Sequence, residues 1–175
     1  YYPFLKVTTV YGCTDSVTST LPVKIVASPQ AQITRTTNGC VPVTVTFTGS
    51  LVVPDTSAIT WQWNFANGNT SDLNNPPAQT YSTAGNYTVN LVATNSTGCA
   101  DTVQTVVEAY AIPVVNAGAD TLICKGTGRT IQATGADTYS WSPATGLSCT
   151  NCASPVATPD ANITYTVVGT TIHGC

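Results

Sequence analysis

Apolar residues in this chain recur at every second position and nowhere at the spacing of a helix. In "VPVTVTFTG" Val43, Val45 and Phe47 fall on one face and Thr44, Thr46 and Thr48 on the other. Ile59, Trp61, Trp63 and Phe65 share a face, as do Tyr87, Val89, Leu91 and Ala93. Tyr139 with Trp141, and then Ile163, Tyr165 and Val167, repeat the habit. Successive strand residues point to opposite sides of a sheet, so this pattern describes half-buried strands. Turn-forming clusters such as "ANGNTSDLNNPP", "STAG" and "NSTG" separate the runs. Side chains that bond their own backbone, together with glycine and proline, favour turns there. Short strands with frequent turns predict an all-β fold of immunoglobulin-like sandwiches.

The polar side of these strands is unusual. Charged residues make up only 7 % of the chain, against about a quarter in an average protein. Threonine, which suits the pleated surface of a strand, takes their place. Five basic residues and a net charge of −3 leave nothing to follow a phosphate backbone, so nucleic acid is not an expected partner. No apolar run is long enough to span a membrane as a helix. The opening "YYPFLKV" has neither Met nor a secretion signal, and the expectation is a segment of a longer chain.

Two stretches say the same thing. "YYPFLKVTTVYGCTDS" aligns with "NYTVNLVATNSTGCADT" on Gly-Cys, placing Tyr1 on Tyr87, Leu5 on Leu91, Cys13 on Cys99 and Asp15 on Asp101. Pro29 and Pro113 follow strand-like runs at equivalent places. Tandem units result: residues 1–28 as the last strands of a preceding module, 29–112 as a complete sandwich and 113–175 as a further immunoglobulin-like unit.

Seven cysteines in such a chain suggest an oxidising compartment. If pairs stay within units, Cys40 bridges Cys99, Cys124 bridges Cys175, and Cys149 bridges Cys152. Cys13, the counterpart of Cys99, then has its partner upstream. The C-x-x-C of "SCTNCAS" also suits redox chemistry, but a thioredoxin-type site needs its first cysteine at a helix N-terminus, and prolines flank the motif instead. Cys124, Cys149, Cys152 and Cys175 could supply four zinc ligands, although the outer two are isolated. A structural disulfide is the expected reading.

No catalytic constellation stands out. His173, the lone histidine, lies beside a cysteine expected to be bridged, and a nucleophile without a base is inert. The carboxylates Asp15, Asp55, Asp72, Asp101, Glu108, Asp120, Asp137 and Asp160 are scattered singly. That pattern indicates no dedicated calcium cage, leaving an ion shared between units near Asp15 or Asp101 as an alternative. "KGTGRT" reads as a hairpin turn rather than a phosphate loop. Trp61, Trp63 and Phe65 are in core phase, which favours packing over a sugar-stacking platform. Trp63, Tyr87 and Trp141 are the expected core anchors. No cofactor is implied.

The stretch from Trp61 to Thr102 resembles the PKD family, an immunoglobulin-like sandwich. Matching positions are Trp63, Phe65, Gly68, Asn75, Pro76, Tyr81, Gly85, Tyr87, Val89 and Leu91. Ala66, Asn67 and Gln79 depart from the Gly, Asp and His that are usual there. The resemblance implies that Trp63 fills the space between sheets and that Tyr87 forms a tyrosine corner. Residues 113–175 are similar to the immunoglobulin-like repeats that accompany PKD units in very large secreted proteins of the Bacteroidota. Those proteins include gliding-motility adhesins exported by type IX secretion. The same resemblance makes Ser16, Thr102 and Thr121, each within an Asp-(Ser/Thr)-aliphatic triplet, candidates for O-glycosylation. It implies a non-enzymatic role as a structural and adhesive segment of an extracellular, cell-surface stalk, fibre or filament. Neighbouring units would be its partners, with self-association and a glycan or protein ligand as further possibilities. The alternative is an accessory module of a secreted hydrolase.

Overall fold

Strands account for all the regular structure in the computed structural model, which describes residues 1–23, 25–54 and 57–175. In chain order they are β1 (Phe4–Thr8), β2 (Thr14–Thr18), β3 (Ala31–Arg35), β4 (Gly39–Cys40), β5 (Val43–Val45), β6 (Phe47–Leu51), β7 (Ile59–Asn64), β8 (Thr70–Ser71), β9 (Gln79–Tyr81), β10 (Gly85–Asn95), β11 (Ala100–Tyr110), β12 (Arg129–Thr130), β13 (Thr138–Ser142), β14 (Val156–Ala157) and β15 (Thr166–Thr170). No helix among the described residues is long and apolar enough to cross a membrane.

The central sandwich runs from β3 to β11. One sheet has the order β4-β11-β10-β7-β8, and the pairs β3-β6 and β5-β9 close over it. Its core joins Val45, Phe47 and Tyr81 from one side to Trp63, Phe65, Val89, Leu91, Val107 and Ala109 from the other. The alternation in β10 explains this arrangement. Val89, Leu91 and Ala93 are fully buried, while Thr88 and the residues between them keep contact with solvent. Trp63 and Phe65 lie near-parallel at 5.6 Å, and Phe47 tilts against both at 5.8 and 5.3 Å. Burying side chains of this size contributes about 2–3 kcal/mol each. The Trp63 indole N–H donates to the Leu73 carbonyl at 2.9 Å, so its polar atom costs little to bury. Trp61 is half-buried and fits because Gly49 faces it: a β-carbon there would come within 3.0 Å of its ring.

Parts of this plan recur on either side of the sandwich. Among residues 113–175, β13 pairs with β15 so that Trp141 faces Val167, as Trp63 faces Leu91. Trp141 is buried, and its indole donates to the Cys152 carbonyl at 2.9 Å. Among residues 1–28, β1 pairs with β2 so that Leu5 faces Val17, as Leu91 faces Val103. Leu5 is nevertheless 60 % exposed where Leu91 is wholly buried.

Candidate functional site

Short hairpins ending in Gly-Cys recur three times with one geometry. In each, the first residue's N–H donates to the cysteine carbonyl, and the glycine N–H donates back to that first residue. The pairs are Thr9 with Cys13 and Gly12, Asn95 with Cys99 and Gly98, and Thr171 with Cys175 and Gly174. The glycines have φ of +80°, +84° and +80°, the left-handed conformation that such a bulged turn demands. Two copies are plain from aligning the sequence. The third, at Cys175, carries its own signal: "TTIHGC" shares Thr-Thr and Gly-Cys with the "TTVYGC" of the first copy and places His173 on Tyr11.

Two of the hairpins meet a segment distant in sequence. At the junction of the central sandwich with residues 113–175, Cys40 on β4 is bonded to Cys175, with 5.6 Å between Cα atoms. Beside the bond, the rings of Tyr110 and His173 stack in parallel at 3.8 Å. Tyr110 is anchored from within its own unit. Its hydroxyl donates to Glu108 Oε2 at 2.7 Å, its carbonyl accepts from the Val41 N–H at 2.9 Å, and Asn38 Nδ2 reaches the same Glu108 oxygen at 3.0 Å. Donation to the carboxylate holds the phenol proton and raises the Tyr110 pKa. His173 is therefore a packing residue of the joint, a role its isolation in the sequence concealed.

The first joint is built alike. Asn95 is buried; its Oδ1 accepts from Thr97 N, Thr97 Oγ1 and Cys99 N, while its Nδ2 donates to the Ala27 carbonyl at 3.2 Å. Cys99 Sγ lies 3.8 Å from the Val26 carbonyl. Asp101 accepts from the Ala31 N–H at 2.8 Å and from the Thr102 N–H at 2.9 Å. Its carboxylate oxygens thus serve backbone donors at the entry to the sandwich.

These positions correct the pairing expected from the sequence. Cys40 does not bridge Cys99, and Cys124 does not bridge Cys175. Cys40 sits beside Tyr110, at the far end of β11 from Cys99. That strand has 11 residues, which separates its ends by roughly 30–35 Å, whereas a disulfide needs Cα atoms within about 7 Å. Cys149 and Cys152 are bonded to each other, and with Cys175 engaged by Cys40 the four-cysteine zinc set is not assembled. Cys13, Cys99 and Cys124 carry free thiols. Among the described residues, no group of three His, Cys, Asp or Glu side chains could hold a metal ion; Asp55 lies outside them.

Trp63 and Trp141 lie in the cores of their units. Tyr87 packs at 4.5 Å from Tyr81 and donates its hydroxyl to the Thr83 carbonyl at 2.8 Å, the bond of a tyrosine corner. Ser16 and Thr102 are exposed and Thr121 is half-buried. The departures Asn67 and Gln79 meet, with Asn67 Nδ2 donating to Gln79 Oε1 at 3.3 Å.

The family model of the PKD domain matches residues 26–109. Similar solved structures include the PKD1 domain from the Vibrio cholerae metalloprotease PrtV, at 27 % identity over 47 % of this chain and 98 % of that one, with a TM-score of 0.41. The PKD1 domain of Vibrio anguillarum Epp is 24 % identical over 49 % and 98 %, with a TM-score of 0.42. The PKD domain of the human VPS10 domain-containing receptor SorCS2 is 18 % identical over 60 % and 96 %, with a TM-score of 0.43. No curated protein matches the chain. PKD domains are non-catalytic structural and binding modules, typically extracellular or secreted, found in proteases and surface proteins.

Proposed function

We propose that this chain, with a PKD domain at residues 26–109, is a structural and adhesive segment of a long extracellular repeat protein. In this reading residues 1–28 are the last strands of a preceding module, 29–112 and 113–175 are the next two modules of a cell-surface stalk or fibre, and no enzymatic activity resides in them. The observation that carries the reading is the joint: a disulfide, Cys40–Cys175, and a ring stack, Tyr110–His173, both lying between units rather than inside one. A covalent bond across a joint limits bending and transmits tension, which an extended thread requires and a separately acting domain does not. The exposed apolar side of β1 and β2 supports the same reading, because Leu5 and Val7 hold the positions that Leu91 and Ala93 bury in the sandwich. The earlier strands of the same module supply the cover. The surface-fibre context extends to the type IX-secreted adhesins of the Bacteroidota, with Ser16, Thr102 and Thr121 as glycan attachment points.

The test is electron microscopy of intact cells labelled with an antibody against this segment. Label strung along surface fibres is the expected outcome. Label absent from cells and recovered on a soluble hydrolase in the medium overturns it and assigns the modules to an enzyme.

A further inference from the structure

We infer that the bond between Cys40 and Cys175 is one instance of a repeating staple. The cysteine eleven residues past each linker proline, called early-strand after Cys40 on β4, bonds the Gly-Cys hairpin cysteine of the unit that follows. Cys13, Cys99 and Cys124 are then halves of further bonds to modules of the same kind. This rests on the reading of the chain as an array of modules, though not on its forming a fibre.

Two independent registers support the assignment. Counted from the linker proline, Cys40 and Cys124 hold the same place, since 40 − 29 and 124 − 113 are both 11. Cys13, Cys99 and Cys175 share the other place, at the end of hairpins with matching hydrogen bonds and matching glycine φ. The bond present in the structure joins one member of each class. A bond within a unit would have joined Cys40 to Cys99, and the length of β11 forbids it.

The orientation of the hairpins agrees. Each one engaged at a joint faces backwards, onto the exit segment of the preceding unit. Cys175 meets Cys40 beside Tyr110, and Cys99 lies against the Val26 carbonyl. Val26 and Tyr110 are themselves equivalent, each three residues before the linker proline. The Cys99 thiol thus waits where a preceding unit's early-strand cysteine would arrive. Cys124 is exposed, as a cysteine must be to receive a following unit's hairpin. Each bond converts two thiols into one disulfide. The two protons and two electrons released reduce an oxidised protein or small-molecule disulfide to its dithiol.

Peptide mapping of the full-length protein, alkylated before digestion and kept unreduced, tests the staple. The expected result is complete loss of alkylation at Cys99 and Cys124 before reduction and its full recovery afterwards. Cys99 should emerge linked to an early-strand cysteine peptide, and Cys124 to a Gly-Cys hairpin peptide. Non-reducing electrophoresis separates the two sources of those peptides: a chain-sized band places them in the same chain, and a ladder places them in a second copy. Alkylated Cys99 or Cys124, or a Cys40–Cys99 or Cys99–Cys124 peptide, overturns the proposal. Cellular microscopy can fail while this map holds, so the two readings fall separately.

Discussion

Ala66 holds a backbone φ of +58°, where an L side chain crowds its own carbonyl and glycine does not. The family pattern has glycine there. Ala66→Gly should raise the stability of the central sandwich by about 0.5–1 kcal/mol, because relief of strain exceeds the entropy glycine adds to the unfolded chain. A shift in the urea midpoint reads this directly. Tyr81 offers a pH test. Burial pushes its phenol up to about 12, Tyr87 adds to the effect, and Arg35 partly offsets it. The hydroxyl donates to the Phe65 carbonyl at 3.1 Å. Folding therefore favours the protonated ring, so its stabilisation is complete below the ordinary value of 10.0 and drains away as pH climbs toward 12. Tyr81→Phe should flatten the fall in urea midpoint across that window. It should also cost about 1 kcal/mol at neutral pH, where a carbonyl loses its donor.

At the scale of elements, a single device recurs: a buried tryptophan on a paired strand, its indole satisfied by the carbonyl of a neighbouring loop. Leu73 supplies that carbonyl for Trp63 and Cys152 for Trp141. The C-x-x-C bridge gains a purpose from this, since it closes the loop that carries the Cys152 carbonyl. Replacing both Cys149 and Cys152 by serine should destabilise the third unit by about 2 kcal/mol, the chain-entropy value for so small a ring. Hydrogen exchange of the Trp141 indole N–H should accelerate while that of Trp63 stays slow, which gives the measurement an internal control. Trp61 shows the limit of reading a strand by phase alone. It shares a face with Trp63, yet it is half-buried because it sits nearer the end of the sandwich, against Gly49 rather than among the central rings.

Across the whole molecule, the Cys40–Cys175 bond spans 135 residues and ties the central sandwich, which has its own core, to the segment around Trp141. Its effect falls on their relative motion rather than on that core. Cys175→Ser should broaden the distribution of distances between the units, as seen by small-angle X-ray scattering. It should move the melting of the central sandwich by less than about 0.5 kcal/mol, the range of a surface change. His173→Ala, which removes the ring stack and keeps the bond, should change the scattering far less.

In the central sandwich the alternation in the sequence was enough to set the strands and their buried faces. Alternation acts through neighbours on one strand, so Val89, Leu91 and Ala93 had to face inward, and Trp63 opposite Leu91 had to be core. The Gly-Cys repeat was legible as well, since a turn of that geometry is set by a few adjacent residues. Partnership across distance was not. Which cysteine Cys40 meets depends on β4 lying parallel to the far end of β11, a relation between residues 70 apart in register that no local pattern encodes. His173 likewise looked like an isolated polar residue until the joint brought its ring onto Tyr110, whose hydroxyl Glu108 holds from the same strand. Spacing along the chain fixes what a residue can do to its neighbours. Only the packing of one unit against the next decided that these residues form a joint.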